Sequence, residues 1–390
     1  MKALIARAHW APREGYKLTP DEEAGRIANV GSRAWKNPSF AVEDAPVPAL
    51  AADEVLIRVR RCGVCGSDTH LYETDADGYI IFSGPTRLPC VIGHEYSGVV
   101  EKAGAGVTQF AAGDLVAVES VLWCGRCLAC RSGSVNQCLH VELAGLTVDG
   151  AMSDYAKAKE WHCWSLNRLR DKFGDDTALD LGALIEPAGC AYNGMFIAGG
   201  GFLPGATVAV FGLGPIGLAA VALARSAGAA QVLGFDIIAE RLAIAEKMGA
   251  DAVYSFNSCD PAEIVLKRTG GRGADICVEA AGAGVATVPF MERALGVNGK
   301  IIYLGRAART VAVDLNRMVT GASSIIGARG HAGHGIFDRI TSLLAAGRIN
   351  LGEMITSRVS FADCVEALRL STTRKDGKIL VVMDNTVHAS

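Results

Sequence analysis

Hydrophobic positions follow two different patterns in the two halves of the chain. In the first half, β-branched and apolar residues alternate or cluster in short runs between Gly and Pro, as in EVLIRVRRCG at 54–63 and CVIGHEYSGVV at 90–100. Such runs are typical of strands. The polar stretch at 10–34, here called the excursion, interrupts them. It is predicted to leave a hairpin and to be partly helical from Pro20 to Val30.

From about Gly205 the pattern changes to strands that alternate with helices. Strands separated by helices of about a dozen residues form βαβ units and a parallel sheet. The sequence therefore predicts an α/β protein in which a β-rich domain precedes a doubly wound parallel-sheet domain. The predicted strands in this half lie at 207–212, 231–236, 274–282, 300–305 and 378–383, and the predicted helices at 216–228, 238–250, 285–295 and 336–347.

Composition and charge exclude several function classes. With 390 residues, of which 50% are hydrophobic and 20% charged, the chain is expected to be globular with room for two domains. The formal net charge of −3 and the lack of a long basic block argue against a nucleic-acid partner. The N-terminal apolar run is too short for a signal peptide, so a reducing cytoplasm is the expected location.

One uncharged run, at 206–224, has about the length of a membrane span. Three glycines and a proline interrupt its middle, its first part is β-branched and its second part is rich in Ala and Leu. A buried strand, a tight glycine turn and a buried helix explain this pattern better than a membrane span does. We therefore expect no membrane partner.

Four of the twelve cysteines fall within fifteen residues. Two residues separate each of the first pairs and seven separate the last, a spacing that lets four thiolates surround one zinc ion in a closed structural site. Two disulfides are the alternative, but they require an oxidising compartment. The predicted structural zinc ligands are Cys124, Cys127, Cys130 and Cys138.

The segment FGLGPIG contains a GxGxxG pattern directly after a predicted strand and at the start of a predicted helix. In that context the glycines allow a tight turn, close approach of a pyrophosphate, and packing of helix on strand. Asp236 ends the next strand, nineteen positions beyond Gly217, where a carboxylate accepts ribose hydroxyls and repels a 2′-phosphate. A glycine turn beside an exposed Asp is the alternative. The predicted NAD-binding residues are Gly212, Gly214, Pro215, Ile216, Gly217, Asp236 and Arg241.

A second group of possible metal ligands is spread along the first half. The run RRCGVCGSDTH contains Cys62, Cys65 and a histidine, and GHE follows twenty-nine positions beyond Cys65. A catalytic zinc takes about three protein ligands and keeps one position open for substrate. Two alternatives stay open here: a thioredoxin-like redox pair of Cys62 and Cys65, or a Cys62 that is only a small buried core residue.

Taken together, these motifs are similar to those of the zinc-dependent medium-chain dehydrogenase/reductase superfamily, and most of all to its sorbitol and threonine dehydrogenase branch. The motifs are CGVCGSDTH, GHEYSG, GDLVAV with the four-cysteine lobe after it, EPAGCA, and GLGPIG with its downstream Asp. The resemblance implies a GroES-like catalytic domain at 1–190, a Rossmann domain at 191–329, a return to the catalytic domain at 330–390, and a cleft between the domains.

The resemblance also assigns roles to residues. It implies that Cys65, His94 and Glu95 bind or closely flank a catalytic zinc, which would be the second zinc of the chain, with Glu186 as a direct or water-bridged ligand. It implies that Ser67 and His70 relay a proton and that Asp68 supports the site. It further implies hydride transfer between NAD and a secondary alcohol, in a homodimer or homotetramer.

Two segments depart from the common pattern of the family. The excursion is extra, and the segment between His70 and Cys90 is longer than usual. Part of the latter, HLYETDADGYI, resembles cyclitol (scyllo-inosose) dehydrogenases. Its tyrosines and acids could bond ring hydroxyls, so a polyol or cyclitol is the expected substrate. A hydrophobic alcohol, threonine, and a homologue that only binds nucleotide or a partner protein remain alternatives.

Overall fold

The computed structural model describes residues 1–306 and 309–383, and these form two compact units. The first comprises 1–186, 357–374 and the described part of 379–390; the second comprises 187–356 and 375–378. The predicted domain boundaries at 190 and 329 stay predictions. The second unit as observed runs on to Thr356, so 330–356 lies with the parallel sheet. Within the described ranges, none of the helices combines the length and the apolar character that a bilayer crossing requires.

The strands agree closely with the hydrophobic pattern. They are β1 (Lys2–Trp10), β2 (Ile27–Ala28), β3 (Trp35–Asp44), β4 (Glu54–Gly63), β5 (Thr86–Arg87), β6 (Cys90–Val91), β7 (Glu95–Ala103), β8 (Leu115–Val118), β9 (Val121–Leu122), β10 (Glu142–Leu143), β11 (Tyr155–Lys159), β12 (Cys163–Ser165), β13 (Thr207–Phe211), β14 (Gln231–Asp236), β15 (Ala252–Ser255), β16 (Ala274–Glu279), β17 (Leu295–Tyr303), β18 (Ser324–Gly327), β19 (Ile355–Ser360) and β20 (Lys378–Val382).

The described residues form α-helices along the whole chain, most of them in its second half. They are α1 (Pro20–Gly25), α2 (Gly66–Tyr72), α3 (Leu128–Arg131), α4 (Asn167–Phe173), α5 (Asp175–Tyr192), α6 (Pro215–Ser226), α7 (Ala239–Lys247), α8 (Pro261–Arg268), α9 (Gly284–Ala294), α10 (Leu315–Gly321), α11 (Ile336–Ala345) and α12 (Cys364–Ser371).

The first unit is built on a seven-stranded sheet in the order β12-β8-β7-β4-β20-β19, with β11 also paired to β4. Its central strand β4 buries Val55, Ile57 and Val59 completely, as the alternation of its sequence predicts. A smaller sheet has the order β3-β1-β6, and β2 of the excursion pairs with β5. The ends of β4 and β7 carry the candidate metal site.

The second unit contains a parallel sheet with the order β15-β14-β13-β16-β17-β18. Its middle strand β13 is fully buried from Val208 to Phe211, which explains its unbroken apolar sequence. Strand order reverses at β13, because the chain proceeds to β14 on one side and later to β16 on the other. Ligands of such sheets bind at the carboxyl ends of the strands at this point.

One predicted strand is interrupted. The run at 90–100 forms β6 and β7 with a break at 92–94. Gly93 lies at the centre of the break with a φ of 88°, a left-handed conformation that favours glycine. A β-carbon there would lie 2.7 Å from Sγ of Cys62 and 3.0 Å from Cβ of Met152. The break therefore depends on Gly93, and it delivers His94 to the site.

Candidate metal centres and nucleotide-binding turn

Strand pairing brings three distant ligands together. β4 and β7 are antiparallel, and Gly63 at the end of β4 lies opposite Glu95 at the start of β7. Cys65 follows β4 and His94 precedes β7, so the two connections meet at one edge of the sheet. The ligand atoms of Cys65, His94 and Glu95 all lie within 4.8 Å of one another. Cys62 is fully buried and packs under Gly93, which agrees with a packing role.

The short helix α2 adds two further groups to this cluster. Its N-cap residue is Cys65, and the carboxylate of Asp68 accepts the backbone N–H of Cys65 at 2.9 Å. The other oxygen of Asp68 lies 3.7 Å from Nδ1 of His94. Oγ of Ser67 lies 3.2 Å from Nε2, the opposite ring nitrogen. Asp68 therefore faces one side of the imidazole, while Ser67 and the cluster face the other.

The electrostatics of the cluster favour a cation. Burial alone would lower the pKa of His94, but the neighbouring charges of Asp68, Cys65 and Glu186 raise it well above its usual value. Oδ1 of Asp68 and Nδ1 of His94 are both buried and find no hydrogen-bond partner among residues 1–306 and 309–383. A thiol, an imidazole and carboxylates that converge in one place are the donor set of a zinc site. The residues present thus fit a zinc ion.

Glu186 is not a member of the group of three converging ligands. It is 7% exposed, and Oγ of Ser120 donates to its carboxylate at 2.9 Å. Its charge acts on His94, yet its carboxylate is not within the group formed by Cys65, His94 and Glu95. Whether Glu186 is a direct or a water-bridged ligand therefore stays a prediction. Ser120 had no signal in the sequence, because only the fold brings it to Glu186.

The four cysteines of the lobe converge as their spacing predicts. All four Sγ atoms lie within 4.8 Å of one another. The Sγ atoms of Cys127 and Cys130 are 3.5 Å apart, and those of Cys127 and Cys138 are 3.9 Å apart. These separations far exceed a disulfide bond of about 2.05 Å. They bracket the spacing of about 3.8 Å that a tetrahedral zinc with bonds of about 2.3 Å requires.

Backbone groups of the lobe support thiolate charge. N–H groups of Cys130 and Leu139 donate to Cys127 and lower the pKa of its thiol to about 6. Burial, together with the neighbouring sulfurs, raises the pKa of Cys130 to about 12. Without a cation, the four thiols therefore do not all lose their protons readily, because each negative sulfur disfavours a second one beside it. A divalent cation offsets this repulsion between the thiolates. The lobe also fits a structural zinc.

The glycine turn of the second unit has the predicted construction. Gly212 follows β13 with a φ of 87°, and a β-carbon there would lie 2.5 Å from the backbone nitrogen of Ala281. A β-carbon on Gly217 would lie 1.8 Å from the carbonyl oxygen of Gly212. Both positions therefore require glycine for close packing of strand, turn and helix.

The turn presents the start of a long helix to a ligand. Gly214 is the N-cap of α6, and Pro215 and the half-buried Ile216 are its first residues. A β-carbon on Gly214 would make only an ordinary contact, 3.6 Å from Arg241. The backbone at Gly214 is thus bare where an anion would approach, and the N–H groups of α6 with the Arg241 guanidinium supply positive charge.

Asp236 is placed at the end of β14 and is already engaged. One carboxylate oxygen accepts the N–H of Leu213 at 2.6 Å, and the other accepts the N–H of Ile238 at 2.9 Å. Each oxygen keeps a second lone pair for a ribose hydroxyl. Asp236 therefore ties the glycine turn to β14 besides offering a ribose site, a role that the sequence motif alone did not indicate.

A buried glutamate of the second unit likewise had no signal in the sequence. Glu279, at the end of β16, is fully buried and accepts the N–H groups of Gly282 and Ala283 at 3.2 and 3.3 Å. Burial raises the pKa of Glu279 despite these bonds. The loop that it holds contains Ala281, which packs on Gly212. Glu279 thus supports the nucleotide turn from behind.

The fold and these sites define a class of protein, and sequence comparison agrees. Residues 51–168 match the alcohol dehydrogenase GroES-like domain, and residues 215–346 match the zinc-binding dehydrogenase domain. The chain therefore belongs to the zinc-binding alcohol dehydrogenase family and is an oxidoreductase. The predicted superfamily, fold class and enzyme class are confirmed, as are zinc and a nicotinamide dinucleotide as cofactors at the level of this family.

Individual relatives cover the chain almost completely. It is 36% identical over 386 residues to scyllo-inosose 3-dehydrogenase from Thermotoga maritima, covering 96% of this chain and 98% of that one. It is 30% identical to L-threonine 3-dehydrogenase from Bacillus velezensis, with 87% and 94% covered. A solved structure described as an alcohol dehydrogenase from Thermotoga maritima has a TM-score of 0.94 and 36% identity, with 98% and 100% covered.

Proposed function

We propose that the protein is an NAD-dependent zinc dehydrogenase that interconverts a secondary alcohol and a ketone on a polyhydroxylated, cyclitol-like or sugar-like ring. The observation that carries the proposal is the cluster of the half-buried Cys65 with the buried His94 and Glu95, in which Oγ of Ser67 lies 3.2 Å from Nε2 of His94. The similarity to scyllo-inosose 3-dehydrogenase, over nearly the whole chain, supports the substrate class.

In the proposed site, Cys65, His94 and Glu95 would hold a zinc ion, with Glu186 as a further direct or water-bridged ligand. When bound, this zinc supplies Lewis-acid polarisation of the substrate oxygen. Asp68 keeps the imidazole of His94 oriented through Nδ1, and it fixes the start of α2 through the N–H of Cys65. The substrate carbon would give up a hydride, which a bound nicotinamide would accept, and the substrate oxygen would give up a proton.

The proton leaves through Ser67 and His70 in this proposal. Oγ of Ser67 is a hydroxyl at the cluster, which can accept one proton while it donates another. Burial lowers the pKa of His70, and the nearby charge of Arg374 lowers it further. His70 is therefore neutral at pH 7 and able to take up the proton.

The second unit is proposed to bind NAD in preference to NADP. The glycine turn and the start of α6 fit the pyrophosphate, and Asp236 fits the ribose that carries free 2′- and 3′-hydroxyls. A 2′-phosphate would face the Asp236 carboxylate, which repels it. Arg241 near Gly214 contributes positive charge on the phosphate side.

Threonine is the second candidate substrate, because L-threonine 3-dehydrogenase is also a relative. The acidic residues beside α2 weaken this candidate. Glu73 pairs with Arg374, and Asp75 and Asp77 both pair with Arg13. Each of these carboxylates already pairs with an arginine. The ammonium group of threonine would therefore have to displace an arginine side chain before it could bind there.

A homodimer or homotetramer in the cytoplasm completes the proposal. β18 lies at one edge of the parallel sheet, and exposed apolar side chains lie on it and on the preceding helix α10: Ile325, Leu315 and Val319. An exposed apolar edge strand favours pairing with a second copy of the chain. Light scattering on a sizing column tests this, and a monomer at micromolar concentration would refute it.

A panel of cyclitols, sugars, threonine and aliphatic alcohols, read by NADH absorbance, tests the substrate. We expect the highest kcat/KM with a cyclitol or sugar-like polyol, and higher values for aliphatic alcohols or threonine would refute the proposal.

Cys65→Ala should abolish turnover and retain NADH binding. Cys62→Ala is the matched variant: it keeps activity if Cys65 is a zinc ligand, and it loses activity if the two form a redox pair.

A further inference from the structure

We infer that the excursion holds the segment 73–88 in place beside α2, and that Arg13 is the positioning residue through which it sets the substrate side of the site. Both segments are expected from the sequence to depart from the usual pattern of the family, and in the structure they pack on each other. The inference deepens the proposed function and rests on it only for the identity of the alcohol.

Backbone hydrogen bonds run along the contact between the two segments. The N–H of Gly31 donates to the carbonyl of Gly84 at 3.0 Å, and that of Ser32 donates to Phe82 at 2.8 Å. The strands β2 and β5 pair just beyond these bonds. The excursion is therefore a strap that follows the 73–88 segment along its length, since single side-chain contacts would not produce a continuous ladder.

The closeness of the strap depends on one glycine. A β-carbon on Gly31 would lie 2.6 Å from Oγ1 of Thr86, 3.0 Å from the carbonyl oxygen of Phe82 and 3.1 Å from Ile80. Real β-carbons essentially never approach another atom to 2.6 Å, and contacts of 3.0 and 3.1 Å are unusually tight, so a larger residue at position 31 would require the two segments to shift apart. Gly31 thus permits the direct backbone contact.

Arg13 forms the polar end of the contact. Its guanidinium binds the carboxylates of Asp75 and Asp77, and its Cζ lies 3.8 Å from the ring centroid of Tyr79. The side chain of Arg13 is 22% exposed, that of Asp75 is 36% exposed and that of Asp77 is 71% exposed. Because screening weakens exposed pairs, Asp75 and the Tyr79 ring account for most of the interaction.

Asp75 passes this interaction on to the turn of the segment. Its Oδ1 accepts the N–H groups of Asp77 and Tyr79, both at 3.0 Å, while Oδ2 binds Arg13. One carboxylate thus shapes the turn and attaches it to the excursion. Without Arg13 the turn would keep its local bonds and its backbone bonds to Trp35 and Asn37 of β3, and it would lose its ionic attachment to the excursion.

The segment in turn contacts the helix that carries the proposed proton relay. The N–H groups of Ile81 and Phe82 both donate to the carbonyl of His70 at 3.1 Å. His70 lies in the last turn of α2, whose first residue follows Cys65. A shift of the 73–88 segment would therefore move groups beside the reacting oxygen, where small displacements cost much of the rate.

The test compares Arg13→Ala with Lys17→Ala, which removes an exposed cation from the same excursion. In Arg13→Ala we expect amide hydrogen exchange at 74–82 to speed up by about tenfold or more. We also expect the KM for the preferred alcohol to rise by about tenfold, roughly 1.4 kcal/mol, while the KM for NAD and the zinc content stay unchanged. Lys17→Ala should behave as the wild type in all four measurements.

Asp75→Asn is the second variant, because an amide keeps the oxygen for the turn and loses the charge for Arg13. If the two residues act as a pair, the double variant should be no worse than Arg13→Ala. Unchanged exchange at 74–82 in Arg13→Ala refutes Arg13 as the residue through which the excursion holds this segment. Faster exchange with an unchanged KM for the alcohol refutes the positioning role. If the wild type prefers a non-polyol alcohol, only the proposed function is refuted. The KM of each variant is then measured with that alcohol, alongside amide exchange at 74–82.

Discussion

Nδ1 of His94 lies 3.7 Å from Oδ1 of Asp68, and both groups are almost completely buried. The second oxygen of Asp68 accepts the N–H of Cys65. One carboxylate therefore orients two of the three converging ligands, His94 by its charge and Cys65 through the start of α2. Supporting carboxylates of this kind fix the ring of a metal-binding histidine and raise its basicity.

Asp68→Asn should therefore weaken the catalytic zinc without emptying the cysteine lobe. The amide can still accept the N–H of Cys65, but it loses the charge that faces His94. We expect zinc affinity at this site to fall about tenfold to a hundredfold. Titration with a competing chelator measures this: Asp68→Asn should lose its catalytic zinc at a lower chelator concentration than the wild type and keep its lobe zinc equally well. Identical release curves for the variant and the wild type would contradict the role of Asp68.

The cysteine lobe should contribute stability and not chemistry. Cys127→Ser leaves three thiolates and removes the sulfur whose pKa is lowered to about 6. We expect loss of one zinc per chain and a fall in Tm of at least about 5 °C, since each kcal/mol shifts the Tm of a large domain by about 2–4 °C. Turnover per folded molecule should change little. Cys259→Ser, in the other unit, is the control, and wild-type Tm and zinc content in Cys127→Ser would show that the lobe is no zinc site.

The glycine turn offers a pair of variants that separate folding from binding. Gly217→Ala places a methyl group 1.8 Å from the carbonyl oxygen of Gly212, so the turn must move and stability should fall. Gly214→Ala makes only a contact of 3.6 Å with Arg241 and should fold normally. It should nevertheless weaken NADH binding by at least about tenfold, because the methyl group lies where a pyrophosphate approaches. Thermal melts and NADH fluorescence titrations measure the two effects, and tight NADH binding by Gly214→Ala would place the cofactor elsewhere.

Cofactor preference should depend on the charge of Asp236. The wild type should favour NAD over NADP by about a hundredfold in kcat/KM, roughly 2.7 kcal/mol. Asp236→Asn should narrow this ratio, since it removes the repulsion of a 2′-phosphate. The asparagine oxygen can still accept an N–H of the turn, so the melting temperature should fall only slightly. A wild type that uses both cofactors equally well would exclude this role for Asp236.

The sequence predicted the parts of the molecule that depend on local pattern. Strand β14 occupies the predicted run at 231–236, and α6 begins within one residue of the predicted helix. The four cysteines of the lobe lie within fifteen residues, so their spacing alone indicated their convergence. Hydrophobic periodicity and the spacing of nearby residues depend on short stretches of sequence. For these stretches the predicted strand, helix and convergence of cysteines agree with the structure.

The parts that the sequence did not predict depend on contacts between distant residues. Arg13 meets Asp75 across 62 positions, and Ser120 meets Glu186 across 66. The acids at 73–77 had been considered as ligands for ring hydroxyls, yet arginines from elsewhere already pair with them. The break in the strand at 90–100 was also missed, because the steric demand on Gly93 comes from Cys62 and Met152.

The last prediction concerns the anchor of the excursion. Glu22 is 2% exposed, and its carboxylate accepts the N–H groups of Thr19 and Asn29 at 2.8 Å each and the hydroxyl of Tyr16 at 2.7 Å. Burial alone would raise the pKa of Glu22, but these bonds outweigh it and lower the pKa from 4.5 to about 2. A carboxyl with a lowered pKa stabilises the folded state above its unfolded pKa, and this contribution is lost as the pH falls towards the folded value.

Glu22→Gln should therefore destabilise the protein at neutral pH by up to about 3 kcal/mol, the equivalent of that pKa difference. The stability difference from the wild type should be constant between pH 8 and pH 5 and should shrink below about pH 4.5, where the unfolded wild type takes up the proton. Glu23→Gln changes an exposed neighbour on the same helix and should have almost no effect at any pH. Urea unfolding at a series of pH values measures the difference. Because the excursion supports the 73–88 segment, Glu22→Gln should also speed amide exchange at 74–82, and a variant that loses stability without this local change would show that Glu22 does not anchor the strap.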